Sequence, residues 1–293
     1  MTLSDMFALG QRVSLAASEE AMRLGHPRVD VEHLLLALVL TDGRAGAVLR
    51  LHGVTLESAR AAVEAEHAER VASLGLTTPP VEPRPLRDPA GSALDWSPRA
   101  LTVIRSIKDY SDDRLLLTAL LDEPGGFVRR VLARLAVEES VLRSEVAEQP
   151  VEDGPVDPLA GHRDWFSATH SGFVPAPPEQ VWALVSDPSR RPEWDSLVAS
   201  VEALDDGCWR LEGTRERPGG GATRISEEQL DSTLRQVELD PPHLVEWETT
   251  WTAPDGRVPV QRLRVRLQPT PGGTRVLLRM AGRRRTGLRG VVQ

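Results

Sequence analysis

Few side chains in this 293-residue sequence have the types and spacing that chemistry demands. A proton-transfer site needs an acid or base held out of bulk water. The C-terminal half offers Asp195 beside Trp194, Glu212, Glu227, Arg224 and His170 for that role, although each also reads as the surface of a strand or loop. The one cysteine, Cys208, becomes a nucleophile only if the fold brings His170 or His243 to it. There is no Gly-x-Ser-x-Gly elbow, His-Glu-x-x-His pair or dinucleotide-binding glycine pattern. His26 and His33 lie seven residues apart without a third ligand type nearby, which is not a zinc signature and fits histidines satisfied at a helix end. The sequence therefore assigns no catalytic residue, no metal and no cofactor.

Composition narrows the class. A chain of this length suggests two domains. With 40% hydrophobic and 27% charged residues it has enough apolar material for packed cores. No run approaches 18 apolar residues and the first ten residues lack a basic-then-apolar leader, so neither a membrane span nor secretion is expected. A single cysteine excludes internal disulfides and cysteine-rich zinc modules and suits a reducing cytoplasm. The net charge of −8 is uneven: residues 1–162 carry 17 basic and 25 acidic side chains, whereas residues 163–293 carry 18 of each. Neither part offers the broad basic surface that nucleic acid requires. The one basic cluster (Arg283, Arg284, Arg285, Arg289) reads as a solvated tail or a helix start.

Two proline-rich linkers organise the chain, 76–93 and 149–162; neither can be a helix or a central strand. The segments before them are helical. Val13, Ala16, Ala17, Glu20, Ala21 and Leu24 recur at helical spacing up to Gly25. Asp30 is placed to cap a short helix over 33–40, Gly43 interrupts, a stretch over 45–51 follows, and Thr55 caps a longer helix to about Leu74. After the first linker the order returns. Ser97 followed by Pro98 opens a helix to about Tyr110. Leu115–Leu120 echoes Leu34–Val39 at an offset of 81, and Val131–Val137 echoes Val48–Val54 at 83. The pattern is a tandem repeat of four helices each, 1–75 and 94–148, too small to bury a core singly and expected to pack together.

Leu24-Gly25-His26, Glu32-His33-Leu34-Leu35-Leu36-Ala37-Leu38, Val48-Leu49 and Gly53-Val54 closely resemble the N-terminal domain of Clp-type AAA+ unfoldases over residues 1–148. The second copy is degenerate and lacks the Leu-Gly-His segment. The resemblance implies an all-helical, non-catalytic domain that docks adaptors and substrates and, in some members, binds phosphorylated arginine. No Gly-x-x-x-x-Gly-Lys-Ser/Thr loop accompanies it, so no ATPase module is present in this sequence. In phosphoarginine-binding members an acidic residue precedes the helix-two histidine and a threonine stands early in helix one. Glu32 matches the acidic position and Asp113 its equivalent in the second copy, whereas Ala8 and Ser97 replace the threonine. Glu32, His33, Ser97 and Asp113 are the docking candidates this resemblance supplies.

From Trp165 the apolar period changes to two. Strands are expected over 165–174, 197–204, 208–216, 225–239, 244–251, 260–268 and 275–280, with a helix over 179–186 and a further helical turn over 189–194. Glycine and proline turns separate them, and consecutive strands without intervening helices argue for an antiparallel meander. Val174-Pro175-Ala176-Pro177-Pro178-Glu179-Gln180-Val181-Trp182, Asp187-Pro188, Pro192-Glu193-Trp194 and Asp240-Pro241-Pro242 resemble the polyketide cyclase-like branch of the START/SRPBCC helix-grip superfamily. That resemblance implies a long antiparallel sheet curled around a C-terminal helix, enclosing a hydrophobic cavity for lipids, sterols, hormones or polyketide intermediates; some members catalyse cyclisation or dehydration. Only thirteen residues follow Met280, so the closing helix is expected to be short or missing, with the cavity open on one side or covered by another element. Residues of matching parity supply the pocket candidates: Trp182, Trp194, Trp209, Leu211, Val245, Trp247, Trp251, Leu263, Val265 and Leu278, each of which also reads as ordinary core.

The expectation is an α+β chain of two domains, a tandem four-helix repeat followed by an antiparallel helix-grip domain over 163–293. Its expected function is non-catalytic: the second domain binds a small hydrophobic ligand and the first docks a protein partner. The alternative is a polyketide cyclase- or dehydratase-like enzyme with an appended interaction domain. A third is that both modules mediate association only.

Overall fold

Four helix starts in the first half fall at a short oxygen-bearing side chain held in extended backbone. In chain order the described helices are α1 (Leu3–Arg23), α2 (Val31–Leu40), α3 (Arg44–Leu51), α4 (Leu56–Ala72), α5 (Pro98–Ser106), α6 (Asp113–Asp122), α7 (Phe127–Arg134) and α8 (Glu139–Glu148). Asp30, Thr55, Ser97 and Asp112 cap α2, α4, α5 and α6, each accepting a backbone N–H from the first turn. Two-residue strands β1 (Arg28–Val29) and β2 (Asp95–Trp96) pair in parallel and tie the two repeats beside α2 and α5. Helix α5 is shorter than the sequence suggests, because Ile107 leaves the helical region and buries its side chain in the core.

These features belong to a computed structural model that describes residues 3–76, 94–108, 112–148, 165–216 and 225–283, the side chains of 3–9, 11, 147–148, 165–166 and 283 excepted. Most of the expected linker over 76–93, all of that over 149–162, and Ala8 (as a side chain), Tyr110, Arg224 and residues 284–293 lie outside what is described. The chain divides into two units, 1–151 and 152–293.

One hydrophobic core unites both repeats of the first unit. It joins Leu34, Leu35, Leu36, Leu38 and Leu49 of the first copy to Leu117, Leu120, Leu121, Val131 and Leu132 of the second. Helix α2 is buried from Val31 to Val39, which explains its nearly unbroken apolar sequence. The second repeat also caps a helix of the first. Helix α3 begins at Gly43, which has no side-chain cap, and Asp113 from the other copy accepts from Arg44 N (3.1 Å) and Ala45 N (3.2 Å). A Cβ on Gly43 would stand 1.8 Å from Asp113 Oδ2, so this approach requires glycine.

Helix ends repeat the same economy. After α1, α3 and α4 the chain turns through Gly25, Gly53 and Gly75 at φ of 67°, 77° and 72°, and the next residue's N–H reaches back to Ala21, Leu49 and Val71 O. Ala136 holds the equivalent position after α7 at φ 57°, with Val137 N donating to Leu132 O. Alanine pays a steric cost there that glycine does not.

The second unit begins with β3 (Trp165–Val174), α9 (Pro178–Val185) and a 3-10 turn over Pro188–Glu193. The strands β4 (Val198–Ala203), β5 (Trp209–Gly213), β6 (Asp231–Asp240), β7 (Leu244–Thr250), β8 (Val260–Thr270) and β9 (Gly273–Arg283) follow. They form one antiparallel sheet in the order β3-β9-β8-β7-β6-β5-β4. The meander thus runs from β4 to β9, and β3 closes onto the last strand. Two expectations need correction. The stretch 225–239 is not one strand: Ser226 and Gln229 form a capping box around a 3-10 turn (Glu227–Gln229), and β6 starts at Asp231. The final strand is longer than 275–280, because β3 offers ten paired positions and β9 extends to Arg283 to meet them. The place expected for a closing helix therefore falls in 284–293, outside the described residues.

One face of this sheet is apolar, with Leu211, Leu234, Val245, Trp247, Val265 and Leu267 in its core beside Val181 and Val185 of α9. The other face is a charge ladder. Glu246 and Glu248 on β7 are buried between Arg235 of β6 and Arg262 and Arg264 of β8. Burial works to raise the Glu248 pKa, but Arg235 and Arg262 outweigh it and hold the carboxyl below its ordinary range.

The backbone at Ala136 generates a test. Ala136→Gly is expected to stabilise the helical unit by about 1 kcal/mol, the relief of a left-handed alanine, seen as a higher thermal midpoint; an unchanged or lower midpoint contradicts it.

Candidate ligand groove and the helical cluster

Proline at 175, 177 and 178 ends β3 and starts α9, and Asp187-Pro188 ends α9 and starts the 3-10 turn. These two breaks fold the chain back over the apolar face of the sheet. Trp247 fastens the return: it is 1% exposed, and its Nε1–H donates to Val185 O at 3.1 Å. Trp209 meets Trp247 edge to face, with ring centres 5.9 Å apart. Between β3, α9, the 3-10 turn and the last two strands lies a groove of about 750 Å³. Its walls are His170, Gly172 and Val174 of β3; Ala176; Gln180, Val181, Ala183, Leu184 and Val185 of α9; Arg190 and Trp194; Val265 of β8; and Val276 and Leu278 of β9.

Trp194, Val265 and Leu278 are the pocket candidates that reach this groove. Leu211, Val245 and Trp247 are buried in the core, and Trp182, Trp209 and Leu263 pack against it. Trp251 lies beyond the end of β7, partly exposed, and belongs to neither. Gly172 and Val174 join His170 on the groove wall; the sequence offered only His170 there, although the alternation along β3 carried the signal for the other two.

The polar candidates disperse. His170 stands on the groove wall and is exposed. Asp195 is taken up by Arg191 (2.9 Å) and by Leu197 N (3.1 Å). Glu212 accepts from Ser200 Oγ at the surface, and Glu227 faces Arg215 at 3.9 Å. Cys208 sits just before β5, and four strands separate β5 from the strand that carries His170. Partial desolvation and the neighbouring Asp206 carboxylate push its thiol pKa up, away from the reactive thiolate. No carboxylate is among the described residues of the groove wall.

In the helical unit the four docking candidates are buried and bonded internally. Ser97 Oγ accepts from Ala100 N and donates to Asp30 Oδ1 (2.7 Å). Asp113 caps α3, and burial raises its pKa despite those backbone donors. Glu32 accepts from His67 Nε2 at 3.2 Å, and its other oxygen is buried without a partner. His33, 0% exposed, accepts from Asp30 N–H through Nδ1 (2.9 Å) and meets His26 Nδ1 through Nε2 (2.8 Å). The first bond fixes the tautomer: Nδ1 is an acceptor, so neutral His33 carries its proton on Nε2 and donates to His26. His26, Glu32 and His33 bring their ligand atoms within 4.8 Å of one another. A metal ion would need the Nε2 lone pair, and freeing it would break the capping box of α2. The donor set as arranged is a hydrogen-bond chain that holds a helix start.

Residues 166–293 match the model of the family described as polyketide cyclase / dehydrase and lipid transport, and residues 11–84 match the Clp repeat (R) N-terminal domain. The chain thus joins a stretch that matches a Clp repeat to one that matches a polyketide cyclase-type family. Among curated proteins, the ATP-dependent Clp protease ATP-binding subunit ClpA homolog of Porphyra purpurea is 34% identical over 146 residues, 47% of this chain and 16% of that protein. The chloroplastic chaperone protein ClpC1 of Arabidopsis thaliana is 31% identical over 159 residues, 51% of this chain and 15% of the relative. The chain thus spans about one sixth of the length of these relatives. Among solved structures, DR_A0006 of Deinococcus radiodurans aligns over 40% of this chain and 83% of its own, at 21% identity and a TM-score of 0.30. CalU16 of Micromonospora echinospora aligns over 40% and 60%, at 19% and 0.28. No helix among the described residues is long and apolar enough to cross a membrane.

The histidine chain makes the Clp-repeat unit acid-sensitive. Burial pushes His33 down to about 4, against the pull of Glu32, and burial likewise lowers His26. The unfolded ring titrates near 6.5, so between about pH 6.5 and 4 the unfolded chain binds the extra proton and stability falls as pH falls. The loss is on the order of 3 kcal/mol at the lower end of that window. The thermal midpoint of the helical transition, followed by far-ultraviolet circular dichroism, is expected to drop across it, and His33→Gln to flatten that drop. An equal slope in the variant refutes the assignment.

Proposed function

We propose that the cyclase-type unit binds a small hydrophobic molecule in the groove between β3, α9 and the last strands, and that the Clp-repeat unit docks a protein partner. One observation carries the ligand reading: a groove of about 750 Å³ walled chiefly by apolar side chains, in the size range of small-molecule sites. A bent sheet must bury one face, and here Trp247, Leu211 and Val245 already do so beneath α9, which leaves Val276 and Leu278 partly open beside the groove. Binding is favoured over cyclase or dehydratase chemistry because no carboxylate stands among the described wall residues and the one titratable base there, His170, is exposed. The docking reading rests on similarity to Clp subunits, and its surface lies away from the four buried residues Glu32, His33, Ser97 and Asp113.

Gly172 supplies the test. It lines the groove, and a Cβ built there meets nothing within 4 Å, so a larger side chain enters free space. Gly172→Trp is expected to weaken uptake of hydrophobic probes by the whole chain at least about tenfold, as buried apolar contact is displaced, with the thermal midpoint held. Native mass spectrometry of the purified chain, with extraction of whatever it carries, reads the same occupancy. Unchanged probe affinity in the variant removes this groove as the binding site.

A further inference from the structure

Residues 1–162 are acidic overall, yet arginines of the helical unit gather where α4 meets α7. Glu66, Glu69 and Arg70 fall on one face of α4, and Arg130 and Arg134 stand one turn apart on α7. Together they line a pocket of about 520 Å³. Glu66 is its buried floor: 3% exposed, it accepts from Arg130 Nε at 2.5 Å and from Arg134 Nε at 3.1 Å. Burial works to raise its pKa, but those two arginines hold it below the ordinary carboxylate range. Arg134 also binds Glu69 at the rim.

The cations outnumber the carboxylates. Arg70 makes no hydrogen bond to either glutamate: its contact with Glu66 Oε1 is 3.9 Å long, and that oxygen already accepts from Arg130. The Arg70 guanidinium lies instead over the Phe127 ring, 5.2 Å from its centre. Beside Gly126, Arg129 Nη2 and Arg130 Nη1 converge, each 3.1 Å from the point where a Cβ would stand. Arg129 has no ion-pair partner among the described residues. Four guanidiniums thus face two carboxylates, and all four are exposed, so an anion reaches them from solvent.

We propose that this pocket docks an acidic peptide segment, with one carboxylate seated against Arg70 and flanking ones toward Arg129 and Arg130. This rests on the docking half of the proposed function and adds the chemistry of the partner. A carboxylate matches the planar fork of an arginine in shape and charge. A phosphate dianion fits worse, because the ionised Glu66 and Glu69 face its double charge at short range. A cationic segment meets the arginine excess, and an uncharged one leaves it unopposed. The net negative charge of residues 1–162 disfavours an acidic partner elsewhere on the unit, which confines docking to this face.

The experiment titrates the full chain with fluorescein-labelled hexaglutamate and hexaglutamine, followed by anisotropy at low and high salt. Hexaglutamate is expected to bind more tightly than hexaglutamine, and the preference to shrink as salt rises. Arg70→Gln leaves both hydrogen bonds of Glu66 in place. It is expected to weaken hexaglutamate about fivefold, the scale of one exposed ion pair, with the thermal midpoint held. Arg105→Gln, at an exposed position of α5 outside the pocket, removes the same charge and is expected to change nothing. Glutarate and inorganic phosphate then compete at matched ionic strength, and glutarate is expected to displace the peptide at the lower concentration. Equal effects of the two substitutions, equal binding of the two peptides, stronger competition by phosphate, or no binding of hexaglutamate overturns the acidic-peptide proposal. In each of those cases, a protein partner held equally by wild type and Arg70→Gln leaves the docking reading in place on another face. If neither chain holds a partner, that reading falls as well.

Discussion

The hydrogen bond from the Trp247 indole to the Val185 carbonyl is the constraint on which the second unit depends. Helix α9 is only eight residues long and ends at Val185, so its last carbonyls have no intrahelical donors. Trp247 satisfies one of them from the middle of the sheet and packs its ring against the same turn of helix. Helix position, core packing and groove width follow together, because the wall formed by Val181, Leu184 and Val185 is set by where α9 is fastened. The edge-to-face contact with Trp209 transmits that position across the sheet to β5.

The first unit solves a similar end-satisfaction problem across its internal repeat. Neither α3 nor α7 has a side-chain cap on its own N-cap residue, since both start at glycine. Asp113 closes α3 from the opposite copy, and Glu123 accepts from Gly125 N (2.9 Å) just ahead of α7 while holding Arg99 at 3.2 Å. The start of α3 is thus completed by the other copy, the local counterpart of the shared core, whereas Glu123 serves α7 within its own copy. Asp113 and Ser97 are engaged in the starts of α3 and α5, and Glu32 accepts from His67.

The sheet treats its two faces by opposite rules. The groove face excludes carboxylates from its described wall, while the other face buries Glu246 and Glu248 only because arginines flank them from both neighbouring strands. Strict alternation along β7 and β8 makes both arrangements possible at once: Trp247 and Val265 point one way, Glu246, Glu248 and Arg264 the other.

Alternation, caps and punctuation are local, and the sequence alone determined what depends on them: the helix starts at Asp30, Thr55 and Ser97, the turn at Gly25, the strand spans of β7 and β8, and the division between a helical repeat and an antiparallel sheet. Both family resemblances also rested on such short strings. Tertiary structure decided what depends on which distant groups meet. Parity along β5, β7 and β8 marked Trp209, Trp247 and Leu263 as facing one side, but only the docking of α9 determined that they form core and that Trp194, Val265 and Leu278 line the groove. The pairing of β3 with β9 brought His170, Gly172 and Val174 into that wall, and no sequence period encodes a contact between strands about a hundred residues apart. The roles of Asp113 and His33 were likewise set by a helix start and a backbone N–H supplied by the fold, because a polar side chain acquires its function from the partner that burial assigns to it.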